Sequence, residues 1–302
     1  MSRDRVDGET RRIHRGPFSD ASTMTTSPPE ITNWISVGAL ADSFAPDSNI
    51  LARSDELAER SLTLHTAEGD ALHYTFVTDE ALSWTASGAG AAESGSETYV
   101  ATSPRPGIYF IDFVKAGSRA PCSVSIVADL TTGVATIVTG TLPAAADAHA
   151  SILRRAQARH ELTPVGAHFT AATIDRPFDP AAPLHAPTAD LIGLRLQHRY
   201  NPHEVYEHIY LNEKRYVWHC LSGIEQGLAD VDRCHYYRIA ANLYLFVWRE
   251  KIVPTLGAIL LDLDRMKTTG KIFGYADDAL AEVSNFQVGA TSTLLNRTEH
   301  AL

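Results

Sequence analysis

Long apolar runs and an excess of positive charge are both absent from this sequence. No stretch approaches the roughly 20 apolar residues that a membrane-spanning helix needs. The charged N-terminal segment MSRDRVDGETRRIHRG is not followed by the apolar core of a secretory signal. The formal net charge is −10, and no basic stripe interrupts it. The sequence therefore predicts neither a nucleic-acid nor a membrane partner.

Cysteine is scarce as well. The three cysteines, Cys122, Cys220 and Cys234, are odd in number and lack paired spacing. Free thiols in a reducing, cytoplasmic compartment are the simplest interpretation, with Cys220 and Cys234 buried as small apolar residues. Gly-rich phosphate loops in a strand–loop–helix context and local nucleophile signatures are absent too, so no cofactor is expected.

Short alternating segments are what the sequence does contain. Hydrophobic residues make up 44% and charged residues 21% of 302 residues, which is typical of two globular domains. From Ser61 the chain reads SLTLHTAEGDALHYTFVTDEALSW, an alternating pattern with a hairpin turn signal, and further strands follow at short, even spacing. Similar strands resume at Leu191. Each half is therefore predicted to be an antiparallel barrel or sandwich.

The order of these segments predicts four parts. Residues 1–30 are polar and are expected to form a disordered N-terminal arm. Residues 31–143 form a first domain. Residues 144–189 contain the helical pattern AADAHASILRRAQARHEL and then a Pro-rich linker. Residues 190–302 form a second domain.

The two halves repeat one another. Residues 62–84 align without gaps with residues 196–218 at an offset of 134, and this alignment pairs Trp84 with Trp218. A second strand pair aligns at an offset of 135. Two copies of one antiparallel β-barrel explain this match.

Alternation along the strands of the second domain collects large aromatic residues on one face. This face carries Tyr206, His208, Tyr210, Tyr216, Trp218, Cys220, Cys234, Tyr236, Arg238, Tyr244, Phe246, Trp248 and Glu250. The opposite face is also apolar, so we expect it to pack on helices, the linker or the partner domain. With the aromatic face inward, the pattern favours a ligand cavity, and a filled core is the alternative.

Two segments carry a family resemblance. They are VGALADSFAPDSNIL, near the start, and GLADVDRCHYYRIAANLYLFVWREKIVPTLGAILLDLDRMKTTGKIFGY, near the end. Both resemble the MoaF family of two-domain calycin proteins, and the resemblance covers nearly everything after residue 33. It implies an all-β fold of two tandem lipocalin-like (calycin) antiparallel β-barrels with a bridging helix and a Pro-rich linker.

The second domain also resembles phenolic acid decarboxylases, which are cofactor-free lyases on a lipocalin-like barrel. The matching segments are YEHIYLN (206–212), the turn Ser222–Gly223 and NLYLFVWRE (242–250).

That second resemblance implies roles for individual residues. The family's pair of substrate-holding tyrosines falls on His198 and Tyr200, a further pocket tyrosine on Tyr206, and the acid on Glu250. The family's essential arginine falls on Leu228. Decarboxylation of a hydroxycinnamate is therefore not implied, although the cavity and its acid are.

Glu250 is the strongest catalytic candidate. A carboxyl group among aromatic residues should have a raised pKa and can act as a general acid or base near neutral pH. The alternative is a salt bridge at the strand end with Arg249 or Lys251. Arg238 could clamp an anion or pair with Glu250.

The candidate residues divide into two groups by expected role. The expected catalytic residues are Glu250, His198, Tyr200 and Tyr206. The expected substrate-binding residues are His208, Tyr210, Trp218, Tyr236, Arg238 and Trp248.

Five histidines (198, 203, 208, 219 and 235) raise the question of a metal site, because His198, His208 and Glu250 could share one. No compact ligand motif supports it, and no metal is expected.

The first domain has Lys115 where the second has Glu250. We therefore expect it to be plugged by apolar side chains and to be structural, with the larger polar-lined pocket in the second domain.

Together these patterns predict a cofactor-free lyase, isomerase or cyclase that acts on a small, partly aromatic substrate in the second barrel. The alternative is a lipocalin-like protein that binds such a molecule without catalysis. A homodimer is left open.

Overall fold

The computed structural model describes residues 34–88 and 92–299. Within these ranges the regular structure consists of seventeen strands and three short helices. No helix in this described part has the length and apolarity needed to cross a membrane. The predicted disordered arm, 1–30, lies outside the described residues.

The first barrel is closed by eight antiparallel strands. In chain order these are β1 (Ser61–Thr66), β2 (Ala71–Phe76), β3 (Ala81–Ser87), β4 (Glu93–Arg105), β5 (Ile108–Lys115), β6 (Cys122–Asp129), β7 (Val134–Thr141) and β8 (Gly166–Ile174). Strand β8 pairs with both β7 and β1. Closure in this way leaves no open sheet edge.

The second barrel repeats this design. After β9 (Ala186–Pro187), its strands are β10 (Leu194–Arg199), β11 (Val205–Asn212), β12 (Arg215–Ser222), β13 (Ala229–Ala240), β14 (Leu243–Arg249), β15 (Thr255–Asp262), β16 (Lys267–Tyr275) and β17 (Val283–Arg297). Pairing of β10 with β17 and of β12 with β13 closes the barrel. The predicted fold class, two tandem antiparallel barrels, is confirmed.

The segment between the domains differs from the helix and linker predicted over 144–189. Instead of one long helix it forms α2 (Ala145–Ala148) and α3 (Ile152–Gln157), with Ser151 capping the second. The segment then supplies β8, the strand that closes the first barrel. The strand GAHFTAATI is rich in alanine and threonine, so its alternation is too weak to stand out from a linker.

The outer faces of β14 and β15 pack against the first barrel. Leu243, Leu245 and Val247 belong to one buried cluster together with Phe110 and Val127. The second apolar face of these strands therefore covers a partner domain, one of the options that the alternation predicts. This contact explains why β14 is buried on both faces.

A buried lysine lies among the polar groups between the barrels. Lys271, on β16, is 0% exposed, and its Nζ lies 2.5 Å from Ser123 Oγ and 3.6 Å from an Asp112 carboxylate oxygen. Asn285 donates to the other oxygen of Asp112 at 2.7 Å. The charge of Lys271 is thus compensated inside the interface.

The first helix, α1 (Val37–Phe44), precedes the first barrel in the chain but packs on the second. The Gly38 amide donates to Ala276 O at 3.1 Å, at the end of β16. The Phe44 ring lies 4.7 Å from that of Tyr200 and 5.7 Å from that of Tyr206. This helix caps the barrel end that contains the candidate site.

Candidate functional site

The aromatic face of the second domain lies inside the barrel, as the alternation predicts. One buried cluster contains Tyr206, Tyr210, Tyr216, Trp218, Cys220, Cys234, Tyr236, Tyr244, Phe246 and Trp248. The Phe246 ring stacks on Trp248 at 5.2 Å and on Tyr236 at 5.6 Å. All three cysteines of the chain are buried and free. Most of the barrel interior is therefore filled by aromatic side chains.

A cavity of about 40 Å³ remains between this core and α1. Its lining includes Tyr200, Tyr206, His208, Tyr216, Trp218, Glu225, Trp248 and Glu250. From the helix, Val37, Leu40 and Phe44 complete the enclosure. Such a space admits water, whereas pockets for drug-sized ligands measure roughly 300–1,000 Å³. A substrate therefore needs α1 or neighbouring side chains to move.

Glu250 follows β14 directly and lines this cavity. Its Oε1 accepts a hydrogen bond of 2.9 Å from Trp248 Nε1. Burial raises the pKa of Glu250 well above its usual range, and the negative charges of Asp232 and Glu225 add to the effect. The carboxyl group is therefore held in its protonated form at higher pH than an exposed glutamate.

The alternative of a salt bridge from Glu250 to its sequence neighbours is wrong. Arg249 points to the other face of β14 and pairs with Glu161 at 2.6 Å. Lys251 contacts Asp230, and its Nζ lies 3.3 Å from Asp232 Oδ1. Alternation explains the direction of Arg249, because consecutive side chains of a strand point to opposite faces. Lys251 lies beyond the end of β14 and is held by the two aspartates instead.

Trp248 has its position because β15 carries a glycine opposite it. Trp248 pairs with Gly257, and a Cβ placed on that glycine would lie 2.0 Å from Cζ2 of the indole. The indole thus lies against the neighbouring backbone, where its Nε1 reaches Glu250. Any larger residue at 257 would displace the donor that orients the carboxyl group.

Two further acids share this end of the barrel, and sequence reasoning missed both. Tyr206 donates from its hydroxyl to Glu225 Oε2 at 3.0 Å, and Trp218 Nε1 donates to Asp232 Oδ2 at 3.0 Å. Burial raises the pKa of Glu225 and of Asp232. The alternation of Cys234 and Tyr236 along β13 extends back to Asp232 and could have identified it. Glu225 lies in a turn and carries no such signal.

His198 and His208 lie side by side in the core, with ring centroids 4.5 Å apart. Burial lowers the pKa of His198 to about 3 and lowers that of His208 well below its usual value. Both rings are therefore neutral at pH 7. His198 Nδ1 lies 3.0 Å from Ser292 Oγ, whereas among the described residues His198 Nε2 and His208 Nδ1 have no hydrogen-bond partner.

The other histidines of the sequence cluster are dispersed. His203 is exposed, and His219 Nδ1 lies 3.6 Å from Glu207. The His235 ring lies 4.7 Å from that of Phe169 on the outer face, with the two rings tilted by 46°. Across residues 34–88 and 92–299, no three His, Cys, Asp or Glu side chains are grouped in a way that could hold a metal ion.

Three of the predicted substrate-binding residues do not reach the cavity. Tyr210 and Tyr236 lie deeper in the core, with rings 5.7 Å apart. Arg238 is on the predicted face but pairs with Asp190 at the surface, with its side chain 55% exposed. It lies opposite Tyr244, near the start of β14, whereas Glu250 follows the end of that strand. Alternation identified the face of Arg238 but not its height along the barrel.

The predicted asymmetry of the two barrels is wrong in one respect. The first barrel is not plugged but contains a cavity of about 540 Å³, far larger than that of the second. Small side chains such as Ala86, Cys122 and Thr139 are part of its lining. Lys115 is at the position predicted to replace Glu250, and it lines this cavity.

Comparisons with known proteins agree with this two-barrel architecture. The MoaF N-terminal domain matches residues 32–144, and the MoaF C-terminal domain matches residues 185–298. The chain is 46% identical to the protein MoaF of Klebsiella aerogenes over 267 residues, which is 88% of this chain and 97% of that protein.

A solved structure is also similar over part of the chain. It is described as a "putative beta-lactamase" from Burkholderia vietnamiensis, with 13% identity and a TM-score of 0.30 over 35% of this chain and 95% of that one. So low a score carries no argument. The two domain matches and the full-length relative show that the chain belongs to the MoaF family.

Proposed function

We propose that the protein is a cofactor-free enzyme that uses acid–base chemistry on a small, partly aromatic substrate in the second barrel. The observation that carries this proposal is the Glu250 carboxyl group, which is desolvated, oriented by Trp248 and next to hydroxyl and imidazole groups. A carboxyl group with a raised pKa is matched to proton transfer near neutral pH. The reaction class is a lyase, isomerase or cyclase.

Each residue has a distinct task in this proposal. Protonated Glu250 donates its proton to a substrate atom and takes a proton back from another position of the same molecule or from the product. This exchange of protons needs neither an oxidant nor a reductant. Tyr200 offers a neutral hydroxyl donor to a polar substrate group. Tyr206, whose hydroxyl donates to Glu225, offers its oxygen as an acceptor, and neutral His208 offers a ring nitrogen. Trp218 and Trp248 supply aromatic walls.

Access to the site depends on α1. The cavity of about 40 Å³ is too small for a substrate while Val37, Leu40 and Phe44 occupy this part of its lining. Displacement of α1 would admit the substrate, and its return would exclude bulk water, which strengthens electrostatic interactions in the site.

The test measures proton transfer directly. The protein in D₂O is incubated with a panel of small aromatic enoates, ketones and phenols, and NMR follows conversion and deuterium incorporation. We expect at least one compound to be converted or labelled, and Glu250→Gln to lower that rate about 10²–10⁴-fold because glutamine cannot exchange a proton. Glu213→Gln, at an exposed turn, is the matched control and should leave the rate unchanged. An equal rate in Glu250→Gln would refute the role of Glu250.

Binding without turnover is the second candidate function. The larger volume of the first cavity, about 540 Å³ against about 40 Å³, favours it, because a carrier needs space rather than a reactive group. This alternative predicts that compounds bind but are neither converted nor labelled, and that Glu250→Gln changes neither result.

A further inference from the structure

The cavity of the first barrel has the properties of a ligand site. Its volume of about 540 Å³ falls within the roughly 300–1,000 Å³ range of small-molecule pockets. The wall is mainly apolar and aromatic, formed by Leu72, Tyr74, Trp84, Phe113, Val124 and Ile137. An apolar ligand body that displaced water from this wall would gain binding free energy in proportion to the apolar area buried.

Lys115 contributes a cation to the lining of this cavity. Lys115 Nζ lies 4.5 Å from the centroid of the Trp84 ring and 2.5 Å from Glu93 Oε2. The Lys115 side chain is 28% exposed and that of Glu93 is 58% exposed. Ion pairs as exposed as this contribute little to stability, so a ligand anion can share Lys115 with Glu93 or replace Glu93 there.

Among the described residues that line the cavity, the other side chains are neutral apart from two acids. Ser118, Thr139 and Thr141 carry hydroxyl groups, and burial raises the pKa of the Cys122 thiol, which therefore stays protonated. The acids are Asp70 and Glu93, and Glu93 forms a salt bridge with Lys115. They would repel an anion anywhere except beside the Lys115 ammonium group, so they restrict the position of a ligand head group.

We propose that the first barrel binds an amphipathic monocarboxylate, with its apolar body against Trp84 and Phe113 and its carboxylate on Lys115. This site is independent of the acid–base chemistry proposed for the second barrel. The sequence repeat aligns Lys115 of the first barrel with Glu250 of the second, so the first barrel has an ammonium group where the second has a buried, protonated carboxyl group.

The test uses three probes with one apolar body and different head groups. Isothermal titration calorimetry measures binding of octanoate, octan-1-ol and octylammonium to the full chain. We expect octanoate to bind most tightly and Lys115→Met to weaken it about tenfold, the loss of roughly one charge-assisted hydrogen bond. The same variant should leave octan-1-ol unchanged. Preference for octylammonium, or equal octanoate affinity in Lys115→Met, would overturn the proposal.

A second variant locates the bound molecule. Thr139→Trp places an indole at the open end of the cavity and should abolish octanoate binding, with the melting temperature showing that the barrel still folds. Glu250→Gln should bind octanoate as the unaltered protein does, which separates this site from the second barrel. Unchanged binding in Thr139→Trp would place the ligand elsewhere and refute the site.

Discussion

Glu250 illustrates how one buried residue links stability to pH. Its folded-state pKa is raised, so it contributes stability below its unfolded pKa, and that contribution is lost as pH rises through the folded-state value. Glutamine in the Glu250→Gln variant cannot ionise, so that variant does not lose stability in this way as pH rises. We therefore expect the melting temperature of Glu250→Gln, relative to the unaltered protein, to increase between pH 5 and pH 9.

Differential scanning fluorimetry at intervals of one pH unit measures this difference. Glu213→Gln, at the exposed turn, should show no such trend. A difference that is constant with pH would mean that the Glu250 carboxyl group is solvated in the folded protein.

His198 should make the stability of the fold depend on pH in the acid range. Burial lowers its pKa to about 3, so the neutral ring stabilises the fold above the unfolded pKa near 6.5, and this stability is lost as pH falls from there toward 3. Each such histidine contributes a slope of about 1.4 kcal/mol per pH unit within that window. His198→Gln should therefore lose less stability between pH 7 and pH 5 than the unaltered protein.

Urea unfolding at the two pH values tests this expectation. His203→Gln, which changes an exposed histidine of the same segment, serves as the control and should retain the full acid sensitivity. The interpretation fails if His198→Gln and His203→Gln respond equally to acid.

At the scale of the element, α1 is the segment whose position depends most on close packing. A Cβ added at Gly38 would lie 2.4 Å from Ala276 O, a backbone atom that cannot move away cheaply. We expect Gly38→Val to loosen α1 and raise the hydrogen-exchange rates of its amides at least tenfold. Asp42→Val adds the same β-branched residue at an exposed position of the helix and controls for helix propensity.

The same variant tests the access role of α1. If α1 controls entry to the second barrel, Gly38→Val should speed the association of any compound that binds there, without changing octanoate binding to the first. Unchanged amide exchange in Gly38→Val would show that α1 tolerates the added side chain and that its packing is looser than described.

Strand β8 could not be predicted from the alternation of apolar and polar residues. Its neighbours in the first barrel are recognisable from alternation, but GAHFTAATI resembles a linker. Its assignment to the sheet comes from hydrogen bonds to β7 and β1, two strands distant in sequence from one another. Those backbone groups must pair, so the barrel recruits a segment with weak strand propensity.

For the whole molecule, the Lys271–Asp112 pair is the most sensitive point of the interface between barrels. Both side chains are fully buried, and burial lowers the pKa of Lys271. Lys271→Met leaves Asp112 without its cation, which should reduce the free energy of unfolding by about 3–5 kcal/mol. Adding Asp112→Asn in the same chain should restore part of this loss, since the unpaired charge is then gone.

Chemical denaturation of the single and double variants measures this coupling. Lys267→Met, at an exposed position of the same strand, should have little effect. A double variant no more stable than Lys271→Met would show that packing, rather than the unpaired carboxylate, causes the loss.

Most of the fold and part of the candidate site could be predicted from the sequence. Side-chain direction repeats every two residues along a strand, and this repeat predicted that the aromatic face of the second barrel points inward and carries Trp248 and Glu250. It did so because side-chain direction in a strand is a local property. The same local rule could not place Arg238 along the barrel axis, nor bring the turn residue Glu225 to Tyr206.

Cavity size was decided by tertiary structure alone. The sequence by itself predicted two antiparallel barrels, their repeat and the residues on the inner face of the second. It did not determine that aromatic side chains and α1 would leave so little space in the second barrel, or that the first would keep a large cavity, because a void depends on how side chains from distant strands meet. Long-range packing, and not the character of any one strand, therefore decided which barrel has room for a ligand.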